Sequence, residues 1–340
     1  MANEIYGVDT HRDSDNFIFY DTAAGLGAGN LIAMSKDGIK IGASGQTMGL
    51  ELLGNVSLRV GAGVIGNVFY VNGGSDGPTD NNYDGLTADT PKQTIKAALA
   101  LCTSGANDII YVLNYGSNAR AVETWPIVVS KNQVHIIGIG HKANKWATVT
   151  ATGSNATAFS ITGQRVEIAG LEIGGTAAGS GAGVQITDGK WGTYIHDCWF
   201  GIADGAGTNG VYVAAGADAP YLRVENCEFG AALLGSGILI AGNATRGTIA
   251  NNLFLQNPVC AIRITGSAVG LKIIDNKIQM LDDTTGHGIN LAAGTSICYI
   301  DGNHAASQKG ATTADYSFID ASTGNMWGLN YSGIVADLPA

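Results

Sequence analysis

Asp282-Asp283 and Gly286-His287-Gly288 place two carboxylates and an imidazole within six residues. These side chains move protons in the hydrolysis of a glycosidic bond, where one carboxyl protonates the leaving oxygen and a second activates water or attacks the sugar. Hydrolysis also requires the two carboxyls to flank the bond, and a loop built with glycines around a histidine explains the same letters. A second set comprises Glu167, Glu172, Glu225, Glu228 and Arg223, with His196 between Glu167 and Glu225 in sequence. Elimination from an acidic sugar would need such carboxylates clustered around a calcium ion, with an Arg or Lys to take the proton α to the sugar carboxylate. Charged residues facing outward on strands are otherwise ordinary solvated surface. No catalytic site is therefore assigned, and Asp282, Asp283 and His287 are the residues to change if there is one.

The remaining chemical motifs point to no cofactor and no metal. Asp9, Asp13, Asp15 and Asp21 surround Phe17-Ile-Phe-Tyr20, but Asp13-Ser-Asp15-Asn lacks the glycine and closing glutamate of a calcium loop and reads as solvated turns. Gly61-Ala-Gly63-Val-Ile-Gly66 matches a dinucleotide fingerprint in letters only, because a strand, Asn67-Val-Phe-Tyr-Val, follows where a helix should open. Cys102, Cys198, Cys227, Cys260 and Cys298 are odd in number and without paired spacing, as expected of buried small hydrophobes. Trp125, Trp146, Trp191, Trp199 and Trp327 do not recur at one position and form no sugar-stacking stripe. No local pattern assembles a Ser, His and Asp triad. Asn155-Ala-Thr and Asn243-Ala-Thr match glycosylation sequons by chance in a Thr-rich chain.

The elements that must position these residues repeat. Val134-His-Ile-Ile-Gly-Ile, Val166-Glu-Ile-Ala-Gly-Leu, Ile195-His-Asp-Cys-Trp-Phe, Val224-Glu-Asn-Cys-Glu-Phe, Ile249-Ala-Asn-Asn-Leu-Phe, Ile273-Ile-Asp-Asn-Lys-Ile and Ile300-Asp-Gly-Asn-His-Ala align with one another. A second series, Gly183-Val-Gln-Ile, Gly210-Val-Tyr-Val, Gly237-Ile-Leu-Ile, Ala261-Ile-Arg-Ile and Gly288-Ile-Asn-Leu, interleaves at spacings of 27, 27, 24 and 27 residues. Apolar residues alternate within short segments that end in Gly, Asn or Asp, so each repeat is two or three strands and turns. The period is too short for a four-stranded propeller blade, and the fixed leucines of Leu-rich repeats are missing. A right-handed parallel β-helix remains, its coils stacked at roughly 4.8 Å. Ile195, Val224, Ile249, Ile273 and Ile300 should form one inward ladder, and Phe200, Phe229, Phe254 and Ile278 another. Asn226, Asn252, Asn276 and Asn303 fall where the chain turns, where Asn tolerates a left-handed backbone and bonds along a ladder.

Composition sets the limits. Fifty glycines in 340 residues, with 45% hydrophobic and 14% charged residues, suit one elongated domain with a large core. A net charge of -10 with only 18 Lys and Arg lacks the basic stripe that nucleic acid requires. No stretch approaches the length of an apolar membrane span, and no basic, apolar leader opens the chain, so synthesis in a cytoplasm without a signal peptide is expected. Residues 1–66 fall outside the repeat and read as a small β arm, with short strands around Leu31, Ile39 and Leu50. Residues 67–108 read as a strand, a loop and a helix that caps the first coil: Thr90 as N-cap, Pro91 at its first position, Ile95, Leu99 and Cys102 on one face, and Ser104-Gly105 as its stop. The β-helix proper then runs over 109–335, beginning at Ile109, with a degenerate last coil at Tyr316 to Tyr331 and a short tail over 336–340.

The Ile-x-x-Asn-x-Phe/Ile rhythm of Val224 to Phe229 (with Cys227 in the Asn place), Ile249 to Phe254 and Ile273 to Ile278 resembles the right-handed parallel β-helix superfamily of pectate lyases, polygalacturonases and phage tailspikes. The run from Phe69 to Gly77 and from Asn82 to Leu99 resembles the opening of such domains. Asp282-Asp283 and Gly286-His287-Gly288 resemble the "DD" and "GHG" motifs of polygalacturonases. That family sets them about one coil apart, with "NTD" before and "RIK" after. Here they are three residues apart in one loop, no "NTD" precedes, and Arg263-Ile264-Thr265 comes first. The resemblance implies an all-β solenoid with an N-terminal capping helix and arm, and leaves activity open. The expectation is a non-enzymatic virion protein of a tailed phage: a homotrimeric knob of about eight coils, roughly 40 Å tall, that decorates or cements the capsid. Its arm would dock on the major capsid protein or another cement protein. The alternative is a tailspike or depolymerase that binds or cleaves a host surface glycan, as a polysaccharide lyase or glycoside hydrolase.

Overall fold

The computed structural model describes residues 8–13, 16–21, 30–35 and 38–41 in backbone, and then 66–74, 83–115, 122–139, 147–152, 156–174, 181–187, 191–201, 209–230, 233, 235–255, 260–280, 287–307 and 318–334. The chain divides into two compact units, Met1–Ile65 and Gly66–Ala340. In the first, Val8–Asp13, Asn16–Asp21, Asn30–Ser35 and Gly38–Ile41 pair as an antiparallel meander. Asp9 lies within a strand opposite Tyr20 rather than in a turn, while Asp13 and Asp21 end their strands. Leu50 and Asp15 fall outside the described residues.

The second unit is a right-handed parallel β-helix. Each regular coil contributes one strand to an opening sheet of eight, from Ile127–Val129 to Phe318–Asp320. It then adds one to a middle sheet of ten, from Val68–Asn72 to Met326–Trp327, and one to a closing sheet of eight, from Ala147–Thr150 to Tyr331–Ile334. In three coils a short extra strand, Asn243–Thr245, Ser267–Val269 or Thr295–Ser296, sits between the opening and middle strands. The stack starts earlier than Ile109, because Val68–Asn72 already pairs in parallel with Asp108–Asn114. The degenerate last coil is real: Phe318 pairs with Ile289, and Met326 with Tyr299.

The helix is shorter than expected, Ile95–Leu101, and its N-cap is Thr94, whose hydroxyl accepts from the Ala97 N–H at 3.1 Å. Thr90 and Pro91 cannot start it because the chain there is engaged as a strand. Lys92 bridges Val71, giving its N–H to the Tyr70 carbonyl and taking the Asn72 N–H. Thr90 instead closes the preceding loop through its hydroxyl to Asp84 at 2.7 Å. Ile95, Ala98 and Leu99 are buried, and the helix packs on the first strands of the middle and opening sheets. That is the contact an end cap makes, covering apolar surface that no coil precedes.

Both expected inward ladders are present. Ile195, Val224, Ile249, Ile273 and Ile300 pair in sequence and are fully buried. Phe200, Phe229 and Phe254 stack at 4.8 and 4.7 Å with nearly parallel rings, and Ile278 continues the row. The interleaved glycines explain how the aromatic row fits. A Cβ on Gly210 would lie 2.6 Å from the Phe229 ring, and one on Gly237 would lie 2.5 Å from that of Phe254. Ala261 takes the equivalent place in the coil where the ladder residue is the smaller Ile278. The repeat of Gly and the repeat of Phe are thus one packing solution.

The four turn asparagines divide into two roles. Asn226 is exposed with φ 55°, in the left-handed corner that Asp197, Asn251 and Asp275 occupy in other coils. Asn252, Asn276 and Asn303 follow that corner by one residue and are buried, each side-chain oxygen accepting the N–H of the equivalent residue one coil earlier. Cys198 and Cys227 hold the same place in the two preceding coils, and Asn330 extends the row beyond Asn303. All five cysteines are free and buried, and burial pushes the Cys102 and Cys260 thiols up to about 12.

Candidate functional site

Strand alternation sets the outward rows of the middle sheet. His135, Glu167, Tyr194 and Arg223 lie in one row across four successive coils, with Ala169, His196 and Glu225 in the next. Glu167 and Glu225 therefore stand on different rows, and the histidine between them in sequence pairs in register with Glu225 while its ring bonds to Glu167. One Glu167 oxygen takes His135 Nδ1; the other takes His196 Nε2 at 2.8 Å, and His196 Nδ1 reaches Asp197 at 2.6 Å. Glu225 is held by Arg223 through two bonds of 2.9 and 2.7 Å, and by the Tyr194 hydroxyl at 3.1 Å. Glu172 and Glu228 face outward from the closing sheet instead, where Glu172 accepts from Thr148 at 2.6 Å.

Beside these rows, at the turn from opening to middle sheet, the Arg165 guanidinium lies 4.2 Å over the Trp191 ring, and Trp191 meets Tyr221 edge to face at 6.4 Å. Arg223 covers Tyr194 at 4.3 Å. Together they line a shallow groove of about 450 Å³. His135, Arg165, Tyr194 and Tyr221 escaped the sequence reading as site residues, and Trp191 entered it only among the scattered tryptophans that form no stripe. His135 could have been found, because Val134-His and Val166-Glu already stood aligned as repeats. Trp191 and Tyr221 lie in turns of unequal length, so no alignment relates them.

The charge states limit the chemistry. Hydrogen bonds from His135 and His196 hold the Glu167 carboxyl down at about 2. Burial opposes the charge on His196, but its bonds to Glu167 and Asp197 outweigh that and lift it to about 9. Glu167 is thus a weak proton acceptor, and His196 keeps its proton at neutral pH. The bonds to Glu225 likewise hold the proton on Arg223, so it is no base for abstraction. The signs set a stability profile. Glu167, lowered from 4.5, contributes fully above that value and loses its contribution as pH falls through about 2. His196, raised from 6.5, contributes fully below that value and loses its contribution as pH rises through about 9. The stability difference between wild type and Glu167→Gln, from urea midpoints, should therefore be greatest between pH 4.5 and 6.5 and shrink on both sides. A difference that stays unchanged as pH falls to about 2 and rises to about 9 would rule out this ionic clasp.

Asp282 and Asp283 lie outside the described residues, and so does Trp146. His287 begins the opening-sheet strand His287–Leu291, in register with Cys260. Trp125 and Trp327 pack partly against the core, Trp191 is exposed at the corner, and Trp199 points outward from the closing sheet. Among the described residues, no three His, Cys, Asp or Glu are arranged to hold a metal ion, and no helix is long and apolar enough to cross a membrane.

No protein-family model and no curated protein matches the chain. Among solved structures, it is similar to a pectate lyase from a Bacillus species in complex with trigalacturonate, at 16% identity and a TM-score of 0.47, covering 82% of this chain and 84% of that one. It is also similar to a rhamnogalacturonan lyase, at 14% identity and a TM-score of 0.38, covering 81% of this chain and 65% of that one.

Proposed function

We propose that the chain is a structural, non-enzymatic virion protein of a tailed phage: a homotrimeric β-helix that decorates or cements the capsid and docks through residues 1–66 on the major capsid protein or another cement protein. The observation that carries this reading is the closed state of the outward charges. Glu167 is shared by His135 and His196, and Glu225 is clamped by Arg223, so the carboxylates and cations that an eliminating or hydrolysing site would use neutralise one another. Such pairing stiffens a surface and leaves no group poised for turnover there. The compact unit that precedes the solenoid supports an attachment role.

The test is a copy number. Quantitative mass spectrometry of purified particles should find between one chain per major shell subunit and one per three. A handful of copies per particle favours the alternative, a tailspike or depolymerase. Release of reducing ends or unsaturated uronates, abolished by Asp282→Asn or His287→Ala, would establish cleavage. Absence from particles would overturn the virion reading.

A further inference from the structure

At the turn into the middle sheet the chain passes through a left-handed residue in six successive coils: Arg165, Gly192, Tyr221, Arg246, Gly270 and Ile297. The other corner of the same sheet meets this demand with Gly170, Asp197, Asn226, Asn251, Asp275 and Gly302, the residue types that adopt it most easily. Here glycine meets it in only two coils, and the other four use two arginines, a tyrosine and a β-branched isoleucine, for which a positive φ is strained. These side chains are also out in solvent. Ile297 is 60% exposed, Tyr221 46%, and the neighbouring Trp191 and Val269 are 38% and 37% exposed. The result is an aromatic, aliphatic and cationic strip about 24 Å long at ~4.8 Å per coil, on a chain whose net charge is -10.

The occupant follows from what the strip presents and from what the same coils present elsewhere. One face of the Trp191 ring is covered by Arg165, and one face of Tyr194 by Arg223, so flat stacking surface is already partly used. Arg223 is taken up by Glu225 and Arg246 donates to the Tyr221 hydroxyl, which leaves the Arg165 guanidinium and the ring edges, groups that fit carboxylates and aromatic edges of a protein surface. In the first three of these six coils the closing sheet carries such groups at matching heights. The coil of Arg165 presents Glu172 outward, that of Trp191 presents Trp199, and that of Tyr221 presents Glu228. In a closed ring of parallel copies, equal coils lie at equal height, so a corner of one copy meets the same coils of the next. An antiparallel pair would reverse that order and lose the match.

We infer that this strip is a subunit interface, occupied by the closing-sheet face of the next copy, with Arg165 against the next copy's Glu172. The inference rests on the homotrimer in the proposed function and names the surfaces that would form it. The experiment is light scattering of the full chain over a concentration series, with Arg165→Glu, Glu172→Arg and the double exchange. Wild type should be a trimer. Each single variant should weaken assembly by about tenfold or more, and the double exchange should restore it. Ile297→Gly should weaken assembly while raising the thermal stability of the monomer, because the strain disappears; a residue needed only for the fold would lower both. A wild-type monomer at every concentration overturns the interface and the trimer together. A trimer indifferent to both single exchanges overturns the interface alone.

Discussion

Replacing Asn276 by alanine lowers the unfolding free energy by about 3–5 kcal/mol, which would be among the largest effects of any polar residue in the chain. Its side chain is fully buried and makes four bonds along the solenoid axis. Its oxygen accepts from the Asn252 N–H at 3.1 Å and the Asn252 amide at 3.0 Å. Its amide donates to the Ile249 carbonyl at 3.1 Å and to the Asn303 oxygen at 2.9 Å. Alanine leaves the Asn252 N–H and the Ile249 carbonyl without these partners in a site that water does not reach, at about 1–3 kcal/mol for each orphaned group. The loss also propagates, because Asn252 in turn serves the Cys227 N–H at 2.9 Å. The neighbouring Asn251 is the control. It is exposed at φ 56°, so Asn251→Ala should cost only the left-handed penalty, about 1–2 kcal/mol. Urea titration of the two variants decides. If Asn276→Ala lies within 1 kcal/mol of Asn251→Ala, the buried ladder is not a principal support of the stack.

This contrast also shows what could be read from the letters. The six-residue rhythm carries the coil, the inward Ile and Phe rows and the presence of turn asparagines, because alternation and period are local properties. It sets Asn226 in the third place with Asn251 and Asn252 in the fourth with Cys227, but does not say which of the two places is the exposed left-handed corner and which is buried. Thr90-Pro91 had every local mark of a helix start, yet Lys92 was claimed by strand pairing with Val71, a contact decided by tertiary structure. The Glu167 clasp was half visible. Glu167 and His196 were singled out, but their meeting depends on a diagonal between rows, and His135 joins them from a third coil. Trp191 stood among the candidate platforms, but its meeting with Arg165 and Tyr221 could not be read because the turns of that corner differ in length from coil to coil.

Phe229→Ala should cost about 4–5 kcal/mol, comparable to the asparagine change but for a different physical reason. The ring is fully buried between Phe200 and Phe254, stacked at 4.8 and 4.7 Å with interplanar angles of 4° and 6°. Truncation removes both stacked contacts, about 0.5–1.5 kcal/mol each beyond area burial, and leaves a cavity. What the cavity costs depends on whether its walls can move in. Here they cannot easily do so. Gly210, which sits directly against the Phe229 ring, belongs to a strand paired on both sides, and the rings above and below belong to coils held at the sheet spacing. The value should therefore fall near the upper end of the range for phenylalanine truncation. Phe229→Leu, which refills most of the volume but not the stack, should recover more than half of the loss. The measurement is the urea midpoint and slope of wild type and both variants. An alanine variant that loses less than about 2 kcal/mol would mean that neighbouring coils close over the gap, and that the solenoid is a softer stack than its paired sheets imply.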